Sequence, residues 1–127
     1  MFEHIKTTVE QGAVGMAAAI FQYQRLGFTV LVPLIDNQEY DLVVEKDEEF
    51  LRVQVKTTKY KRNEHYVVQV KTVRPNKTEN KITTFGHGCD LLFVLCDNGD
   101  CYSIPRAEIT TKNEVRLNKF ESHKLRK

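Results

Sequence analysis

Asp41, Gln54 and Lys56 are the residues whose types and spacing could do chemistry. They belong to Tyr40–Thr58, YDLVVEKDEEFLRVQVKTT, two alternating runs joined by an acidic turn. Leu42, Val44, Leu51, Val53 and Val55 occupy apolar positions with period two, the pattern of half-buried strands. If Asp47-Glu48 is a two-residue hairpin loop, Lys46 faces Glu49. The same register places Asp41 opposite Gln54, with Lys56 diagonal to it on one sheet face. A bulge would shift this pairing by one residue.

An acid, an amide and an amine converging on one face suit metal-dependent phosphodiester cleavage. Two oxygen-bearing groups can hold Mg²⁺, a hard cation that accepts few protein ligands and keeps several waters. The metal polarises a phosphate and acidifies a bound water. A lysine on the same face can position that water or stabilise the transition-state charge. Each residue alone has a plainer role: Asp41 as a solvent-facing strand start, Gln54 as an outer-face polar residue, Lys56 as a guard of the strand surface. Only their joint placement singles them out. VQVKT occurs twice, at Val53–Thr57 and Val68–Thr72, and no acid is evident opposite the second copy, so the first is the candidate.

These residues need elements to hold them. Thr7-Thr8-Val9-Glu10 has the form of a capping box and starts a helix that should run to about Leu26, with Gly27 just beyond its end. Its apolar side, from Val9 and Ala13 through Met16, Ala17, Ile20, Phe21 and Tyr23, is broad enough to pack on a sheet. Phe28–Leu34 follows as a strand halted near Pro33, and Asp36 and Asn37 read as a turn ahead of the site. After the hairpin, Lys59–Glu64 is a basic loop in which Lys59, Lys61 and Arg62, interleaved with Tyr60, could grip a phosphate backbone. Tyr66–Val73 is a third alternating strand, and 74–88 reads as loop and irregular structure. Leu91–Cys96 is continuously apolar, as a central strand covered on both faces would be. Asp97-Asn98-Gly99-Asp100 turns it into Cys101–Ile104, and Pro105 can open a short helix over Arg106–Ile109. Lys112–Lys127 is expected as a helix or a flexible basic tail, whose Lys124, Arg126 and Lys127 could touch DNA.

The 127 residues fit one domain, 1–127, with a modest core. A hydrophobic fraction of 41% and a charged fraction of 28% are ordinary for a soluble globular protein. The net charge of +2 does not by itself argue for nucleic acid. No apolar run is long enough for a membrane span, and no leader is evident, so a cytoplasmic or nucleoid-associated protein of bacterial, archaeal or phage origin is expected. Cys89, Cys96 and Cys101 are odd in number and lack metal-ligand spacing; His87 two residues before Cys89 is a weak zinc signal, and reduced buried thiols fit better.

With a helix, a strand, Tyr40-Asp41 at a hairpin and then Gln54-Val55-Lys56, the chain resembles the PD-(D/E)XK nuclease superfamily. More narrowly it resembles the small group I intron-associated (homing) endonucleases, in which glutamine replaces the second acid; archaeal-type Holliday junction resolvases are neighbours of that branch. The resemblance spans roughly Val9 to Glu108, including Asp90-Leu91-Leu92-Phe93-Val94 and Tyr102-Ser103-Ile104-Pro105. It implies a restriction-endonuclease-like α/β core with a central mixed sheet flanked by helices. It also implies metal binding by Asp41 and Gln54, catalysis by Lys56, and a Mg²⁺ cofactor that Mn²⁺ can replace. The partner would be double-stranded or branched DNA, and cutting both strands calls for a homodimer or a dimer of dimers. The chain departs from the family at Met16, where a helix glutamate is usual; the alternative is therefore a catalytically weak or inactive nuclease-fold DNA-binding protein.

Overall fold

A computed structural model describes residues 1–35, 38–75, 80–83 and 88–126. Asp36, Asn37, His87 and Lys127 lie outside the described residues.

Helix α1 spans Thr8–Arg25, and its ends are fixed by local chemistry. The Thr7 hydroxyl accepts from the Glu10 N–H at 3.1 Å and donates to the Glu10 carboxylate at 3.2 Å. At the other end Phe28 N–H reaches Tyr23 O and Gly27 N–H reaches Gln24 O, both at 3.0 Å. This double closure needs a left-handed residue after Leu26, which Gly27 supplies at φ 92°. Lys46 Nζ adds a bond to Leu26 O at 3.1 Å, a cation at a helix C-terminus.

The strands are β1 (Thr29–Leu31), β2 (Leu42–Lys46), β3 (Glu49–Thr58), β4 (Lys61–Arg62), β5 (His65–Gln69), β6 (Thr72–Pro75), β7 (Asn80–Thr83), β8 (Leu91–Cys96), β9 (Cys101–Pro105), β10 (Glu114–Arg116) and β11 (Lys124–Leu125). Six of them form a mixed sheet in the order β1-β2-β3-β8-β9-β11. Its centre is the parallel pair β3 and β8, and every other pairing in it is antiparallel. A three-stranded sheet, β10-β5-β4, and a hairpin, β6-β7, complete the described strands.

Helix α1 covers one face of the mixed sheet: Ala19 and Tyr23 pack there with Leu42, Val44, Val53, Phe93 and Leu95. The helix lies close because Gly15 is buried against β3; a Cβ on Gly15 would sit 2.6 Å from the Thr57 methyl. Among the described residues the far face is covered by strands and 3-10 turns, with Val68, Val70, Val115 and Leu117 packing on Leu92, Val94, Cys96 and Ile104. The expected α/β core with its central mixed sheet is thus present, and α1 is its helical flank.

Four expectations are corrected. The stretch expected over 74–88 as loop and irregular structure includes a hairpin, β6 paired with β7. The strand expected over Phe28–Leu34 is confined to Thr29–Leu31. The Tyr66–Val73 run breaks after Gln69, because the Val70 and Lys71 amides both turn to Asn113 O, and the chain starts a separate hairpin. The segment expected as a helix or flexible basic tail is instead built into the fold. Within it β10 pairs with β5, β11 pairs with β9, and a 3-10 segment spans Leu117–His123. Val115 and Leu117 are 1% exposed, and burying two such side chains contributes about 3–5 kcal/mol, enough to tie a polar segment down.

Candidate active site

The β2–β3 hairpin closes through Asp47 and Glu48, at φ 53° and 68°, the signature of a type I′ turn. Its register is Lys46↔Glu49 through Leu42↔Val53, so Asp41 lies one step beyond, beside Gln54. Gln54 and Lys56 pair on their other side with Leu92 and Val94, whose side chains belong to the far-face core. Gln54 and Lys56 therefore share the face away from α1, and both are half-buried, as is Asp41.

Asp41 is held by the backbone of β3. Its N–H donates to Val53 O at 2.8 Å, and its Oδ2 accepts the Val55 N–H at 2.7 Å. Burial pushes the Lys56 ammonium below its ordinary range, and the nearby Asp41 carboxylate partly opposes that shift. The Cys89 thiol, pushed up by burial, lies against the Gln54 backbone. Across the parallel pair, Asp90 starts β8 as Asp41 starts β2. It accepts the Arg52 N–H at 2.8 Å and the Arg52 guanidinium at 3.2 Å, which holds its carboxyl below the usual carboxylate range. Asp90 is thus a structural clamp, whereas the Asp41 carboxylate lies within electrostatic reach of the Lys56 ammonium.

The donor set fits a hard divalent cation that takes most of its ligands from water and phosphate. Asp41 and Gln54 would hold it with carboxylate and amide oxygens. No group of three His, Cys, Asp or Glu side chains able to hold a metal occurs among the described residues, so an all-protein cage is not formed there. Met16 packs with the apolar cluster on the α1 side of the sheet, opposite the face of Gln54 and Lys56. The helix residue that does reach β3 through a polar atom is Gln11, whose amide donates to Thr57 Oγ1 at 2.7 Å; its position one turn before Gly15 was the available signal.

The three basic residues expected to grip a phosphate backbone do not form one cluster. Lys59 is exposed and faces Asp97, whereas Lys61 Nζ lies 4.8 Å over the Tyr66 ring. Arg62 is turned to the opposite face of its strand, bonded to Glu114 and stacked 5.7 Å over Tyr60. The second VQVKT copy also holds a correction, since an acid does lie opposite it: Glu114 pairs with Gln69. That carboxylate is already occupied by Arg62, which holds it below the usual range.

All three cysteines are free and buried, and burial pushes the Cys96 thiol up to about 12. No helix among the described residues is long and apolar enough to cross a membrane.

No curated protein matches the chain. Among solved structures, a bacterial homing endonuclease, I-Ssp6803I, superposes with a TM-score of 0.76 at 28% identity, over 88% of this chain and 78% of that one. The family model described as PD-(D/E)XK endonuclease matches residues 6–127, which takes in α1, the hairpin with Asp41, Gln54 and Lys56, and the folded C-terminal strands. By that match the chain belongs to the PD-(D/E)XK endonuclease family.

Proposed function

We propose that the protein is a metal-dependent endodeoxyribonuclease using Mg²⁺, with Mn²⁺ able to substitute, and acting as a homing-type or junction-resolving enzyme. The observation that supports this reading is Asp41 bonded to the β3 backbone at Val53 and Val55, on either side of Gln54, with its carboxylate in electrostatic reach of Lys56. A divalent ion bound by Asp41 and Gln54 would supply Lewis-acid stabilisation of a phosphate and acidify a water. Asp41 is oriented for that by the Val55 amide, which fixes one carboxylate oxygen. Lys56 donates hydrogen bonds to the attacking water or to the developing phosphorane charge. Its partial burial strengthens those bonds, because the surrounding dielectric is low.

Cutting two strands needs two sites, and an exposed apolar surface supports self-association. Leu31 and Phe50, 42% and 62% exposed, fall on the same sheet face as Gln54, at the end beyond the three-stranded cover. Val32, Leu34 and Ile35, just past β1, are 59%, 100% and 64% exposed. A homodimer, or a dimer of dimers, would cover them. The cell compartment that fits is the cytoplasm, close to DNA.

The direct test is nicking of supercoiled plasmid and of four-way junctions with Mg²⁺ or Mn²⁺, alongside Asp41→Ala and Lys56→Ala. Wild-type cutting that both substitutions abolish supports the site; equal cutting by wild type and variants sinks it. A second reading, a nuclease-fold DNA-binding protein with weak catalysis, is favoured by Met16, which gives the metal no third side-chain ligand from α1. It expects salt-sensitive DNA binding without cleavage in either metal.

A further inference from the structure

We infer that a basic cleft on the outer face of the β4–β5–β10 sheet binds a backbone phosphate of nucleic acid, as an anchor separate from Asp41 and Lys56. This rests on the reading that DNA is the substrate.

Strand pairing builds the cleft. The register sets Arg62 opposite His65, Arg116 opposite Val67 and Glu114 opposite Gln69. These side chains alternate with Val68 and Val115, which are buried in the far-face core, so they share the outward face of the small sheet. Asn118 and Lys119, from the 3-10 segment, close one end. The result is a cleft of about 80 Å³ lined by Arg62, Asn63, His65, Val67, Arg116, Asn118 and Lys119.

Three features distinguish it from a scatter of surface cations. It has an apolar floor: Val67 is 2% exposed and belongs to neither core cluster. Its lining carries no carboxylate, and Glu114, on the same sheet face, serves to fix Arg62. Arg62 Nη1 and Nη2 donate to the two Glu114 oxygens at 2.5 and 3.2 Å while its plane stacks on Tyr60. A guanidinium has five N–H donors, so further donors remain on an arginine whose geometry is already set. Arg116 and Lys119 are exposed and add two permanent charges. Such a site matches a tetrahedral oxyanion with one negative charge, which is what a phosphodiester presents.

The cleft is also mechanically joined to the site. Thr58 Oγ1 donates to Val67 O at 2.6 Å, and Thr58 follows Lys56 by two residues on β3. That bond ties the strand beneath the cleft to the strand that carries Lys56.

The test uses the full chain and the pair Arg116→Ala with Lys119→Ala, neither of which touches Asp41, Gln54 or Lys56. Binding of a labelled DNA duplex without divalent metal is measured across a salt series. The double variant should bind roughly 10-fold more weakly, with the salt slope reduced by about one to two, and should keep the wild-type kcat on saturating plasmid. In parallel, inorganic phosphate at low salt should give saturable NMR shifts at the amides of residues 62–67 and 116–119, absent from the double variant. If the alanine pair does not fold, Arg116→Gln with Lys119→Gln keeps the stems and replaces it. Wild type that cuts DNA while the folded variant binds with unchanged affinity and slope overturns the cleft and leaves the nuclease standing. Phosphate shifts in a wild type that binds no DNA overturn the nucleic-acid occupant together with the nuclease reading. Absence of any phosphate shift overturns the anion site itself.

Discussion

The Val55 amide donates to Asp41 Oδ2 at 2.7 Å, while the Asp41 amide donates to Val53 O at 2.8 Å. The Asp41 carboxylate thereby continues the β2–β3 ladder past Leu42, where the main-chain pairing stops. One side chain is both the end of a strand pair and the proposed metal ligand.

That double duty separates two substitutions. Asp41→Asn keeps an acceptor oxygen for Val55 and should unfold in urea within about 1 kcal/mol of wild type. Asp41→Ala leaves the Val55 amide without that acceptor and should lose about 1–2 kcal/mol. Both should lower cleavage by roughly 100-fold or more, since a charged metal ligand contributes several kcal/mol to the transition state. Equal instability of the Asn and Ala variants would show that the bond to Val55 has no structural value.

Lys56→Met addresses the burial of an ammonium. The folded-state pKa lies below the ordinary 10.5, so the unfolded chain holds the proton more tightly and folding is penalised while Lys56 is charged. The penalty is present at neutral pH and fades as pH rises from the lowered value through 10.5. Lys56→Met should be more stable than wild type by about 1 kcal/mol near neutrality, with a gap that narrows toward pH 10.5, and should not cleave DNA. Thermal unfolding of both proteins across pH measures the gap. A gap that widens with pH would be inconsistent with a depressed lysine.

Gln54→Glu tests whether the amide position is part of a metal site. It places a second carboxylate between Val53 and Val55, the two β3 residues that Asp41 bonds, where like charges repel. Without metal the variant should be less stable than wild type by up to about 1 kcal/mol, and Mg²⁺ or Mn²⁺ should restore it, with tighter binding by calorimetry. Unchanged metal affinity would place the ion elsewhere.

Much of this site was legible because a hairpin obeys strict arithmetic. Asp47-Glu48 as the loop fixes every pair back to Leu42, and period-two alternation assigns the faces. The helix was legible from Thr7, Glu10 and Gly27, whose local bonds define its ends. What could not be read was long-range: that Glu114 would come to lie opposite Gln69, or that Val115 and Leu117 would carry a charged segment into the core. Nothing local marks such pairings, because a strand of three residues has too little pattern to announce its partner. Arg116 and Lys119 were therefore seen as tail rather than as the wall of a cleft.

The β2–β3 and β4–β5 turns hold removable strain. Glu48 and Glu64 occupy the second turn position at φ 68° and 67°, a left-handed conformation that costs a side-chain-bearing residue roughly 1 kcal/mol. Both are exposed, and the Asp47 and Asn63 that precede them tolerate positive φ better. Glu48→Gly and Glu64→Gly should each raise the urea midpoint, corresponding to about 0.5–1 kcal/mol of unfolding free energy less the entropy glycine adds to the unfolded chain. Two midpoints below wild type would mean the turns are not type I′.

Phe50 and Leu34 bear on assembly. They are 62% and 100% exposed, so replacing Leu34 by aspartate removes no intramolecular packing and replacing Phe50 removes little, and each should shift stability by less than about 1 kcal/mol. If these apolar side chains lie between copies of the chain, the paired substitution Leu34→Asp with Phe50→Asp buries uncompensated charge and should drive the assembly to monomer in sedimentation equilibrium. A monomer carries one site, so on supercoiled plasmid the variant should accumulate nicked circles, where wild type proceeds to linear product. A variant that sediments and cuts like wild type would move the interface away from this end of the sheet.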